Sequence, residues 1–317
     1  MKALITGAAG FVGPHLLRHL EACGDEVIAT DRSTGTDIGD ADHLREVFTD
    51  ARPRVVYHLA GDADVGGSWD HPLATFRANA EGTFNVLQAA RAAGVERVIS
   101  IGSADVYGKV TPDELPLSET AELRPTSPYA ASKVAADFLG LQATLGYGLD
   151  VVRVRAFNHL GPGQSDRFVA PALALRIARN ERDGTDEVPV GNLSPQRDLT
   201  DVRDVVRAYR LLALRGVGGE VYNVCSGTTL SIQELADLLV GMAARPMRLV
   251  SDPTRQRSVD IPVLCGDSTK LRAATGWSPE IPIAETLADL MADCRARVAA
   301  EDARPTITTD QRNGDAP

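Results

Sequence analysis

The run Lys2-Ala3-Leu4-Ile5-Thr6-Gly7-Ala8-Ala9-Gly10-Phe11-Val12-Gly13 decides how this chain folds. Lys2 to Thr6 is a short apolar run that reads as a buried strand. The glycines that follow, spaced GxxGxxG, allow a tight turn, close approach of backbone to a pyrophosphate, and close packing of helix on strand. A helix-like run from Pro14 to Cys23 comes next, and its N-terminus is where phosphates bind. Pro14 is tolerated in the first turn, where amide donors lack intrahelical partners anyway. The next strand, Glu26 to Thr30, ends at Asp31, 18 residues beyond Gly13. A carboxylate there accepts hydrogen bonds from an adenosine ribose and repels a 2′-phosphate, which favours NAD(H) over NADP(H). The adjacent Arg32 works against that preference.

Composition bounds what such a protein does. At 317 residues the chain suits one large α/β unit or two closely joined lobes. Lys plus Arg number 33 against 43 Asp plus Glu, a net charge of −10, which argues against nucleic acid as a partner. Local basic residues can still hold a diphosphate. The four cysteines, Cys23, Cys225, Cys265 and Cys294, are scattered without a CxxC pair, so reduced thiols are expected and no metal motif emerges. A strand starting at residue 2 leaves no room for a signal peptide, and no run of ~20 apolar residues spans a bilayer. The expectation is a soluble, cytoplasmic protein with no membrane partner.

Strand-like and helix-like runs alternate, which implies α/β architecture with a parallel sheet and crossover helices. Helices are expected at 41–50 and 72–93, and strands at 55–59, 98–101 and 150–155. Residues 108–128 hold Pro112, Pro116, Pro125 and Pro128 and read as an ordered loop over a cleft. After Asn158 the pattern changes to a turn-rich segment, an amphipathic run at 168–180, a strand-like stretch at 198–202, and helices at 231–244 and 283–299. Residues 1–157 and 198–225 are therefore assigned to a dinucleotide-binding unit, and 158–197 and 226–300 to a smaller, discontinuous substrate lobe. The polar, aperiodic residues 301–317 read as a mobile tail.

The chemistry lies in Ser127-Pro128-Tyr129-Ala130-Ala131-Ser132-Lys133. Tyr129 and Lys133 are four apart and share one helical face. A tyrosine hydroxyl titrates near ~10, and an ammonium held close to it lowers that value. The result is a group that passes a proton to or from a sugar oxygen. Ser103 would give that oxygen a second hydrogen bond. This is apparatus for interconverting an alcohol and a ketone, with the hydride drawn from a cofactor.

These residues resemble a known family. GAAGFVG, His58-Leu59-Ala60-Gly61, Asn79-Ala80-Glu81-Gly82-Thr83-Phe84-Asn85, Ser103 with Val106-Tyr107-Gly108, and YAASK are similar to the motifs of extended short-chain dehydrogenase/reductases, over roughly residues 1 to 297. The resemblance implies a Rossmann-type sheet with a small C-terminal nucleotide-sugar lobe, and a homodimer built on two helices. Gly7, Gly10, Phe11, Val12, Gly13, Asp31, Arg32, Leu59, Ala60 and Lys133 are the cofactor-binding residues it points to. Arg155 to Gln164 and Gly191 to Asp198 resemble the GDP-4-keto-6-deoxy-mannose reductase and GDP-mannose 4,6-dehydratase branch. That likeness implies Asn158 and Arg197 on a nucleotide diphosphate, and a GDP-sugar as substrate. Arg257 and Asp260 stand where the branch holds its RPxEV segment, with Ser258 in place of Pro and Asp260 in place of Glu.

Several readings stay open. Arg197 could be only a surface ion pair. His58, His159, Asn79 and Tyr107 are expected to pack or brace rather than react. A 4,6-dehydratase needs an acid and a base besides the tyrosine. Dehydratases of this branch hold a Thr, a polar or acidic residue and a Glu before the VYG-like turn, whereas this chain holds Ser103, Ala104 and Asp105. The leading expectation is reduction of a C4 ketone by NAD(P)H through Tyr129, Lys133 and Ser103. A dehydratase with Asp105 as base comes next, then an NAD-retaining 4-epimerase, and last a non-catalytic nucleotide-sensing protein.

Overall fold

The computed structural model describes residues 1–255 and 261–302. Six parallel strands, β1 (Lys2–Thr6), β2 (Glu26–Thr30), β3 (Val55–His58), β4 (Arg97–Ser103), β5 (Val151–Ala156) and β6 (Val221–Val224), form a sheet in the order β2-β1-β3-β4-β5-β6. Successive side chains of a strand face opposite ways, and the core follows that period. Ala3 and Ile5 of β1, Tyr57 of β3 and Val154 of β5 pack with Leu16 and Leu20 of the helix Val12–Ala22 and with Tyr209 and Leu212 of the helix Val202–Arg215. Leu4, Val56, Val98 and Val151 face the other way, onto Leu44 and Phe48 of the helix Ala41–Ala51 and Val86 and Ala90 of the helix Gly82–Ala92. The sheet is thus covered on both faces, as an all-parallel sheet must be. Because β1 has β2 on one side and β3 on the other, the winding reverses there, and a crevice opens at the carboxyl ends of those strands.

A second body of structure roofs that crevice. Asn158–Leu160, Gln196–Asp201, Thr229–Ser231 and Val263–Leu264 form a four-stranded sheet, and Glu187–Val190 pairs with Arg248–Ser251. The helices Val169–Asp183, Ile232–Gly241 and Ile283–Asp302 bury Leu173, Ile177, Leu235, Leu239, Leu290 and Met291 in a core of their own. No helix among the described residues is long and apolar enough to cross a membrane.

The structure differs from the sequence expectations in four places. Residues 198–201 pair within the second sheet, and the chain returns to the first layer only with the helix Val202–Arg215. Buried Asp198 fixes this, accepting the N–H groups of Ser226, Gly227 and Gly266 at 2.8, 3.0 and 3.2 Å. Leu271 and Trp277, from a segment assigned to the smaller lobe, pack into the first core beside Tyr209. The helix expected at 72–93 is interrupted, with Pro72–Phe76 and Gly82–Ala92 α-helical and Arg77–Glu81 a π turn. Finally, the last helix runs to Asp302, past the expected start of the tail, whose remaining residues lie outside the described ones.

Candidate active site

The carboxyl ends of β1 and β3 are pressed together by glycine. Gly7 has φ +75°, and a Cβ there would stand 2.7 Å from the Ala60 backbone; a Cβ on Gly13 would stand 2.2 Å from the Ala8 carbonyl oxygen. The helix Val12–Ala22 starts without any side-chain cap, so its first-turn amides are left for a ligand. This cradle, which side chains would fill, fits the diphosphate of a dinucleotide. Asp31 stands just beyond β2 and accepts the Ser33 N–H at 2.8 Å. Burial works to raise its carboxyl, but hydrogen bonds from Ser33 and Ala9 and the Arg32 charge outweigh it and hold the group below its ordinary value. Arg32 is exposed at the same end of the cleft.

All the cofactor-binding residues expected from sequence line one cleft of about 1680 Å3, together with Ser103, Asp105, Tyr129, Asn158 and Arg197. Beneath it, His58 is held between Thr6 Oγ1, 2.8 Å from Nδ1, and Thr83 Oγ1, 2.9 Å from Nε2. Burial, with Lys133 nearby, pushes the imidazole down to about 3, so it is neutral. Asn79, in the π turn, accepts the Asp62 N–H at 2.9 Å and donates to Ser132 Oγ at 2.9 Å. It therefore ties the loop after β3 to the helix carrying Tyr129. Such π turns are frequent at functional sites.

Ser127 caps the helix Pro128–Tyr147 by accepting the Ala130 N–H at 3.1 Å. This cap starts the helix so that Tyr129 and Lys133 both reach the cleft. Ser103 ends β4, accepts the Asp105 N–H at 3.2 Å, and lies near enough to the Tyr129 hydroxyl to favour its ionised form. Asp105 is half-buried in the cleft wall, and Ala104 is buried behind it.

One expectation is corrected here. Lys133 does not pull the Tyr129 phenol down. Burial, with the negative charges of Asp105 and Asp62, raises it well above its ordinary value, and Ser103 only partly offsets this. Lys133 Nζ instead lies over the ring, 5.9 Å from its centroid, and donates to the Ile101 carbonyl at 3.4 Å. Burial lowers the ammonium to about 8, with Asp62 opposing. Tyr129 is therefore a proton donor as it stands.

At the far end of the cleft, Asn158 is exposed at the head of its strand, and Arg197 donates to the carbonyls of Ile261 at 2.7 Å and Gln196 at 2.9 Å. Arg257 and Asp260 lie outside the described residues. Two arginines went unsignalled by motif. Arg176, half-buried, donates to the Pro189 carbonyl at 3.0 Å, and its pKa is lowered by burial and by Arg255. Arg255 pairs with Asp252 at 2.8 Å. A cation amid Leu173, Ala174, Leu175 and Ile177 was the available signal for Arg176. His159 stacks on Phe11, centroids 6.0 Å apart and planes at 10°, and donates from Nδ1 to the Phe157 carbonyl at 2.9 Å.

Comparison with known proteins agrees with this geometry. Residues 3–225 match the NAD dependent epimerase/dehydratase family. A GDP-6-deoxy-D-mannose reductase of Pseudomonas aeruginosa is 38% identical over 302 residues, 95% of this chain and 99% of its own. A UDP-glucose 4-epimerase of Mycolicibacterium smegmatis is 33% identical over 309 residues, 91% of this chain and 96% of its own. The solved structure of RMD from Pseudomonas aeruginosa complexed with NADPH superposes with a TM-score of 0.87 at 37% identity, over 94% of this chain and 100% of that one. With the glycine cradle, the tyrosine–lysine helix and these relatives together, the chain belongs to the NAD dependent epimerase/dehydratase family, within the extended short-chain dehydrogenase/reductases.

Proposed function

We propose that this protein reduces the C4 ketone of a GDP-4-keto-6-deoxy-hexose, with NAD(H) preferred over NADP(H). The observation that carries the reading is Tyr129, kept protonated by burial and by Asp105, and set with Ser103 in the wall of the cleft. A reductase needs an acid at that point, and it needs nothing further from the protein at C5 or C6. Gly7, Gly10, Phe11, Val12, Gly13, Leu59, Ala60 and Lys133 would hold the dinucleotide, which would supply the hydride. Tyr129 gives its proton to the C4 oxygen, and the Ser103 hydroxyl holds that oxygen in line. The Lys133 ammonium steadies the negative charge that forms on Tyr129 afterwards. Asn158 and Arg197, with Arg176 in the same cleft wall, receive the diphosphate, for which guanidinium groups are suited. The reductase relative supports a GDP-sugar. The NAD(H) preference rests on Asp31, since the solved relative holds NADPH.

A second reading has one observation in its favour. The Asp105 carboxylate faces the cleft close enough to Tyr129 to raise its phenol, so it stands where a dehydratase would need a base. The epimerase relative keeps a third reading in play, because that chemistry uses the same Tyr129, Lys133 and Ser103. Purified protein given a GDP-4-keto-6-deoxy-mannose with NADH should form a GDP-6-deoxy sugar and consume NADH. GDP-mannose alone should be returned unchanged by mass spectrometry. Loss of one water from GDP-mannose, abolished by Asp105→Asn, would make the dehydratase the right reading. C4 inversion of a sugar nucleotide without net NADH use would favour the epimerase.

The proposed reaction belongs in the cytoplasm, where reduced dinucleotide is renewed. We also propose a homodimer. Leu73, Phe76, Phe84 and Phe138 are 60%, 46%, 42% and 53% exposed, on helical segments of Pro72–Ala92 and Pro128–Tyr147 that lie side by side. Apolar side chains bunched at that exposure favour burial against a second copy. Phe138→Glu should yield a monomer in sedimentation.

A further inference from the structure

A buried polar hub lies behind the cleft, and none of its members lines the cleft. Arg155, on β5, is paired in register with Gly102 of β4, next to the Ser103–Ala156 pair. Its guanidinium is buried, with 5% of the residue exposed. Nε and Nη2 both donate to Asp137 Oδ2, at 3.1 and 2.7 Å. Nη1 donates to the Tyr107 hydroxyl and to the Glu119 carbonyl, each at 3.1 Å. Asp137 follows Lys133 by one helical turn and Tyr129 by two, so it pins the catalytic helix itself. Its other oxygen accepts Arg153 Nη1 at 2.9 Å.

Tyr107 closes the short turn Ala104–Tyr107 that Ser103 caps. Its hydroxyl donates to Asn223 Oδ1 at 2.6 Å. Asn223, on β6, donates through Nδ2 to the Leu117 carbonyl at 2.8 Å, and its N–H donates to Glu119 Oε1 at 2.8 Å. One planar cation therefore touches the helix bearing Tyr129 and Lys133, the turn bearing Ser103 and Asp105, and the loop that runs on to Ser127.

Stability alone is a poor reason for such a device. Buried ion pairs are often replaceable by apolar side chains without loss. What a guanidinium gives, and an apolar group cannot, is several donors in a fixed fork. We propose that Arg155 is a positioning residue that sets the spacing between the Tyr129 hydroxyl and Ser103, through Asp137 on one side and Tyr107 on the other. The inference rests on the reading of Tyr129 and Ser103 as the proton-transfer pair. Proton transfer is sensitive to this spacing, because displacement of a reacting group by ~1 Å costs on the order of 100-fold in rate.

Two variants of the full chain test the inference. Arg155→Lys keeps a cation against Asp137 but cannot reach both Tyr107 and Glu119. Tyr107→Phe leaves the Arg155–Asp137 ion pair intact and removes the hydroxyl that joins Arg155 to the turn and the turn to Asn223, so it decides the matter should Arg155→Lys fold poorly. Each should lower kcat on the keto-sugar by ~10- to 100-fold, leave KM and NADH affinity unchanged, and enlarge the solvent deuterium isotope effect on kcat. Wild-type kcat in Tyr107→Phe alongside an inactive Tyr129→Phe would overturn the positioning role and leave the function intact. A fall of kcat, NADH affinity and melting temperature together, with no change in isotope effect, would overturn it too, as the mark of a purely structural hub. A fully active Tyr129→Phe would instead remove the reading underneath, and this inference with it.

Discussion

Lys133 Nζ stands over the face of the Tyr129 ring, 5.9 Å from its centroid. An ammonium in that position is attracted by the π face. The phenol beneath it is set by burial and by Asp105, not by the lysine. In the proposed reaction the two groups would act in sequence: a neutral acid first, then a cation that stabilises the anion left behind.

Tyr129→Phe removes the acid and little else. Turnover should drop by at least ~100-fold, the lower range for a positioned acid–base group. The glycine cradle is untouched, so NADH should still bind, as read by quenching of its fluorescence. Near-normal turnover would mean that another residue delivers the proton.

The lysine gives an alkaline limit. Its folded pKa, about 8, lies below its ordinary 10.5. Below pH 8 the buried ammonium carries its full burial penalty, and between those two values the unfolded chain binds more protons, so this group's contribution to stability rises with pH. Activity moves the other way, because the cation is lost over the same range. The profile of kcat/KM should fall with a midpoint near pH 8. A profile flat to the ordinary lysine range would show that Lys133 charge is not used.

On the proposed reading, Asp31 sets the cofactor choice. Calorimetry on the wild-type protein should give tighter NADH than NADPH binding, and Asp31→Ala should narrow the gap by weakening NADH and admitting the 2′-phosphate beside Arg32. Tighter NADPH binding by the unaltered protein would hand the decision to Arg32.

His58 makes the fold acid-sensitive. Its folded pKa is depressed to about 3 from 6.5. A histidine buried neutral contributes stability that is complete above the unfolded value and is lost as pH falls through that window, with a slope of about 1.4 kcal/mol per pH unit. His58→Gln should lack this slope in urea midpoints followed from neutral to acid pH, whatever its absolute stability.

That the glycine turn, Asp31 and the Tyr129–Lys133 pair share one cleft was legible because each depends on local spacing, which a sequence displays directly. The helix Val202–Arg215 and β6 were not, for reasons that differ. The helix interleaves Arg203, Arg207, Arg210 and Arg215 with its buried Val205, Val206, Tyr209 and Leu212, and the charges blur the apolar stripe. β6 is only four residues long and follows Gly216, Gly218 and Gly219. The Tyr129 ionisation was misread because adjacency on a helix gives the partner but not the burial, and here burial decides. Arg176 has no motif at all; only folding brings it to the cleft.

The path of the chain has a consequence for anyone who wishes to divide it. It leaves the first sheet after Ala156, runs through the second to Asp201, returns for the helix Val202–Arg215 and β6, leaves again at Ser226, and comes back with Leu271 and Trp277. No single cut in the gene separates the first sheet and its helices from the second. Neither side can be transplanted as one continuous cassette, and a nascent chain has no finished half until Trp277 has been made. New substrate preference must therefore be written by point changes along the cleft wall, not by exchanging parts.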